Sequence, residues 1–165
     1  MAAAATSARG LRRFALTALL LVLAQAGIGM AVNLYAVVPA RHPGARPSNY
    51  LAGSFHSVVW AIAHGGLALA IHAALGLALA LLVIAVAVRA CAVARRPVQA
   101  WSVLAGLLVI GAGFNGASFL DFNKNFSSLI MALLAFGAAA CYGVVVYLAD
   151  RLSSRTVPGA AMSSG

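Results

Sequence analysis

The chain has 165 residues, 64% of them apolar and 8% charged, and a net charge of +9. A soluble domain is roughly 45–50% apolar and about 25% charged, so this sequence lacks the polar surface to cover a water-soluble core, and lipid is its solvent over much of its length. The positive charge does not indicate nucleic acid, because the basic residues lie in small groups at the ends of apolar runs, where membrane proteins carry them for orientation.

Four apolar runs are long enough to cross a bilayer, which takes about 20 helical residues. They cover residues 14–38, 67–88, 98–120 and 127–149. Backbone groups in hydrocarbon must bond within their own segment, so these runs predict helices, and no period-2 alternation points to a barrel. The expected fold is all-α: a polytopic four-helix transmembrane bundle forming one domain over residues 1–150. A small, polar, disordered cytoplasmic tail is expected over residues 151–165.

The first run follows Arg9, Arg12 and Arg13 and passes through "AQAG", Ala24–Gly27, which has the look of a signal-peptide cleavage site. It continues apolar to Val38, a length that favours an uncleaved anchor helix. The connection to the second run, Pro39–Gly66, is too long for a turn. Its first part, to about Asn49, is rich in Pro, Gly and Arg. Its second part, Phe55–His64, is apolar and aromatic; it is read either as an early start of the second span projecting outward or, preferred, as an interfacial helix broken from that span at Gly65–Gly66.

The next connection, "RACAVARRP", is short and basic. Pro97 suits the first turn of the third span, where its missing N–H costs nothing. The short second and third connections make the last three spans antiparallel neighbours. Eight basic residues (Arg9, Arg12, Arg13, Arg89, Arg95, Arg96, Arg151, Arg155) fall on one side and three (Arg41, Arg46, Lys124) on the other. The positive-inside rule therefore places both termini in the cytoplasm of a cell that carries the protein in its plasma membrane. The preference for arginine over lysine and the abundance of alanine fit a GC-rich bacterial genome. Cys91 and Cys141 match no disulfide, zinc or haem-attachment spacing and are read as small apolar filler.

Between the third and fourth spans lies "GFNGASFLDFNKNFSS", Gly113–Ser128, which holds one of the two acids, Asp121, and the only lysine, Lys124. Depth along the spans puts Asn33, His72 and Asn115 each roughly 8–11 Å outward of its span's centre. Met131 and Met30 fall in the same layer, with Ser118, Asp121 and His64 above it. Because polar side chains in a span turn to protein or to a wet cavity, one shared polar site open to the outside is expected, formed by Asn33, His64, His72, Asn115, Ser118 and Asp121. The plainer alternative pairs Asp121 with Lys124 across a turn, caps the last span with Asn125 and uses Phe119, Phe122 and Phe126 as interfacial anchors.

No carboxylate pair, Ser/His arrangement or phosphate-binding glycine loop suggests an enzyme. The leading expectation is a small membrane binding or accessory protein working at its outer face, with a homo-oligomer or another membrane protein as partner beside the lipid. An oligomeric transporter or channel is a further alternative. "HAALG", His72–Gly76, followed by apolar residues and "VRA", resembles the second-helix pattern of haem A synthase and related bacterial membrane cytochromes. That resemblance implies b-type haem held by His72, with Met131 or a second copy's His72 as the other axial ligand. His64 and His72 are about 80° apart on a continuous helix and do not bracket one haem. Three stretches, "GMAVNLYAVVP" (Gly29–Pro39), the same "HAALG" (His72–Gly76) and "GASFLDFNKNFSSLIMALLAFG" (Gly116–Gly137), are similar to small four-span membrane proteins of actinobacteria and related bacteria. This second resemblance implies the four-span topology and transfers no activity or site residue.

Overall fold

The computed structural model describes residues 2–93 and 95–154. They form five helices: α1 Ala2–Tyr35, α2 Tyr50–His64, α3 Gly66–Val93, α4 Arg96–Phe122 and α5 Asn125–Ser154. Among the described residues there is no strand. Four helices are long and apolar enough to cross a membrane, within α1 (Ala8–Tyr35), α3 (Gly66–Ala92), α4 (Arg96–Phe122) and α5 (Asn125–Leu152). The first span thus begins earlier than residue 14 and ends at Tyr35 rather than Val38. Ala24–Gly27 is mid-helix. Arg151–Ser154, expected in the tail, continue α5, and the rest of the expected tail lies outside the described residues.

The long helices form a ring in which α1 and α4 each pack on both α3 and α5. Short antiparallel connections dictate this order. The buried positions recur every three or four residues: Leu11, Ala15, Ala18 and Val22 on α1; Leu79, Val83, Val86 and Ala90 on α3; Val98, Ser102, Ala105 and Val109 on α4; Ala138, Cys141, Val145 and Ala149 on α5. Such stripes face neighbouring helices, and these lie in the half of each helix nearer the α3–α4 connection. Lipid tails are as apolar as leucine, so burial drives no association here. Close packing does, and Ala and Gly at the seams let the backbones approach.

One end of the ring, where α1 and α4 finish and α3 and α5 begin, carries a cap made of the 36–49 segment and α2. The cap helix starts at Tyr50, five residues before the expected Phe55, because Asn49 supplies an N-cap: its Oδ1 accepts the Ala52 N–H at 3.1 Å. It stops at His64, where Gly65 and Gly66 (φ +76°) bend the chain into α3, as the two glycines suggested. The cap helix packs on α3 and α4. Ala61 joins Val32, Leu69 and Leu120 in a small apolar cluster that ties it to three spans.

The other end is the arginine end. Arg12 Nε meets Asp150 Oδ1 at 3.4 Å in an exposed pair. The Arg89 guanidinium sits 5.2 Å from the Phe14 ring centre and Arg151 4.7 Å from that of Tyr147. Each guanidinium lies over an aromatic face.

Candidate functional site at the cap

A helix leaves its last carbonyls unpaired unless something outside supplies donors. At the end of α4, Asn123 adopts the left-handed conformation (φ 51°) and its N–H bonds Phe119 O at 2.7 Å. The next two carbonyls are taken by the 36–49 segment. His42 Nε2 meets Leu120 O at 3.1 Å, and the Arg46 N–H donates to Asp121 O at 2.9 Å. The other ring nitrogen of His42, Nδ1, lies 2.9 Å from Pro43 O. The ring is stacked on Trp60, 4.4 Å between centroids and 20° between planes.

The Asp121 side chain is 2% exposed. Ser57 Oγ donates to Oδ1 at 2.6 Å and Ser54 Oγ to Oδ2 at 2.9 Å. These serines are one turn apart on the buried face of α2, so a single carboxylate grips the cap helix at two points. Tyr50 OH extends the seam, donating to Phe114 O at 3.0 Å and lying 2.8 Å from Ser118 Oγ. Two glycines make the fit possible. A Cβ on Gly44 (φ +93°) would collide with Ser57, and one on Gly53 would collide with Pro47. A cavity of about 70 Å³ opens where the 36–49 segment meets the end of α4, bordered by His42, Arg46, Asp121 and Asn123.

The plainer reading of this turn is corrected. Lys124 is exposed and takes no part in holding Asp121, whose carboxylate faces α2 instead. Asn125 is the first residue of α5 rather than its cap.

The expected shared layer is corrected as well. Asn33 is exposed and accepts from Ser128 Oγ on α5 at 3.0 Å. Asn115 Nδ2 turns back to Gly111 O on its own helix at 2.9 Å. His72 pairs with Gln25 across the α1–α3 seam. Gln25 Nε2 donates to His72 O at 2.8 Å and lies 3.4 Å from His72 Nε2. Asn33 and Asn115 each bond a nearby group, whereas Gln25 Oε1 and His72 Nδ1 are buried without a partner among the described residues, and the three helices are not brought to one point. Of the six expected site residues, Ser118 and Asp121 join the cap site, Asn33, His72 and Asn115 bond elsewhere, and His64 is exposed at the last turn of α2.

The residues present do not fit a b-type haem on His72 and Met131. The His72 ring lies on Gly29 of α1, where an added Cβ would come within 2.9 Å of Cε1, and its Nε2 faces the Gln25 amide. Met131 Sδ lies on Gly116, in the α4–α5 seam on the opposite side of the ring. Among the described residues no group of three His, Cys, Asp or Glu side chains is placed to hold a metal ion.

His42, Ser54, Ser57 and Tyr50 were not anticipated. The available signal was the serine pair at one-turn spacing in an otherwise apolar helix, in a chain with only two acids. No family model, curated protein or solved structure matches the chain. The resemblance to small four-span proteins rests on its three stretches, and the topology it implies agrees with the helices observed.

Proposed function

We propose that the protein is an integral-membrane accessory module that presents a rigid cap at the outer face of a plasma membrane, with both termini in the cytoplasm. The excess of arginine at the end opposite the cap supports that orientation. The observation that carries the reading is the two-sidedness of α2. Its small and polar face, Gly53, Ser54, Ser57 and Ala61, is buried on the bundle. Leu51, Phe55, Val59 and Ile62, one turn apart along the opposite face, are exposed. A helix fixed by a buried carboxylate and turned apolar side outward is pre-organised to meet a transmembrane segment of a partner protein at low ordering cost.

A photo-crosslinking side chain at Phe55, in cells, tests the reading against one at Leu77, which is exposed on α3 away from the cap. The expected result is a discrete protein adduct from Phe55, absent from Leu77 and lost when Gly44→Ala loosens the cap. Lipid adducts alone at both positions would overturn it.

A further inference from the structure

Two hydroxyls lie deep in the half of the bundle nearer the α3–α4 connection. Ser102 on α4 and Tyr142 on α5 are both 0% exposed. Neither Ser102 Oγ nor Tyr142 OH has a hydrogen-bond partner among the described residues. A serine inside a helix commonly returns its proton to the carbonyl one turn back, and Ser102 does not. Leaving a buried hydroxyl unpaired carries its full desolvation cost, and a bundle in lipid has no bulk water beside it to relieve that cost.

The two hydroxyls belong to one place. Leu108 lies on Gly137, Leu134 on Gly111 and Met131 on Gly116, which fixes the antiparallel register of α4 and α5. Carried less than two turns further, that register sets Ser102 opposite Gly143, next to Tyr142. One turn from Ser102, on the same buried face of α4, is Gly106. A Cβ added to Gly106 would meet nothing nearer than Val83 O on α3, at 3.8 Å. The core therefore has room at this point for one more heavy atom, beside a carbonyl whose second lone pair is open to a further donor.

We propose that one water molecule is bound here, in the core between α3, α4 and α5. It accepts from one of the hydroxyls of Ser102 and Tyr142 and donates to the other and to Val83 O. Three bonds to groups otherwise unpaired are what a buried water typically makes, and a hydroxyl serves as donor or acceptor as the site requires. The site is independent of the cap, of its partner and of the orientation of the chain.

Gly106→Ala is the decisive substitution, because the added methyl takes the place of the water. In an empty space it would raise the thermal midpoint, by filling a void and by favouring the helix. With water bound it displaces the bridge and lowers the midpoint of the full chain in mixed micelles. In a background of Ser102→Ala with Tyr142→Phe no hydroxyl is left to orphan, and the same substitution raises the midpoint. A rise in both backgrounds would show a dry space, and an equal fall in both would show a steric clash; either overturns the proposal. If the triple variant does not fold, Tyr142→Phe alone decides: the midpoint falls if the hydroxyl is paired with water and rises if it is unpaired. Water-edited solid-state NMR in bilayers, on chain labelled at tyrosine, reads the water directly. Transfer from water to the Tyr142 ring, identified by its loss in Tyr142→Phe, is expected to slow about twofold or more in Gly106→Ala. Equal transfer in the two chains would overturn the assignment.

Discussion

A carboxylate 2% exposed needs donors within reach, and Ser57 and Ser54 supply them at 2.6 and 2.9 Å. A hydrogen bond to a charged group contributes about 1.5–3 kcal/mol net, and leaving a buried acceptor unpaired costs a similar amount. Ser57→Ala therefore lowers stability by about 2 kcal/mol, and Ser54→Ala, on the longer bond, lowers it less. Lys124→Ala, at an exposed site, changes it by no more than about 0.5 kcal/mol. Denaturant titration in mixed micelles checks the order, and a Lys124 variant as damaging as Ser57→Ala would restore the ion pair across the turn. Asp121 was legible because an acid is rare in this chain. Its partners were not, because they lie 64 and 67 residues away. A serine in an apolar helix also reads the same whether it bonds its own backbone or a distant carboxylate.

The helices themselves were legible, since bilayer length and unsatisfied backbone leave an apolar run of 20 or more residues little else to be. The Gly65–Gly66 break in the second span was legible for the same reason that it forms: a positive φ at Gly66 is easy for glycine alone. The pairing of helices was not, because a stripe of small residues states that a face is buried and leaves its partner open. Gly29 shows what the pairing requires. An added methyl would come within 2.9 Å of the His72 ring, so Gly29→Ala pushes α1 from α3 at a cost of about 1–3 kcal/mol. In a His72→Ala background the same change costs less by about 0.5 kcal/mol or more. A double-mutant cycle in mixed micelles measures this, and additive costs would mean that the two side chains do not meet. The cap makes the parallel case for a loop. Gly44→Ala combines a collision at Ser57 with a strained positive φ. Amide exchange should therefore quicken across α2 and stay unchanged in α5, and uniform protection in both helices would show that the cap does not depend on this turn.

Across the whole molecule, charge is sorted to the two ends, and the ends differ in kind. At the cap, polar groups are few and matched: a carboxylate with two hydroxyls, two helix carbonyls with a histidine and a backbone N–H. At the opposite end cations gather in excess of acids. The first arrangement fixes a shape, and the second predicts a direction, because arginines resist translocation during insertion. Four spans return the chain to its starting side, so residues near its two ends share a compartment with the α3–α4 connection. In a background with Cys91→Ser, an impermeant thiol reagent added outside intact cells should label Ser48→Cys, in the exposed stretch leading into the cap, and should miss Ser154→Cys at the end of α5 until the membrane is opened. Cys141 is buried in the bundle and adds no signal. The reverse pattern would turn the cap to the cytoplasm, and a partner would then be sought on that side. Labelling at both positions in intact cells would mean that the chain inserts in two orientations, and the arginine excess would no longer account for its direction.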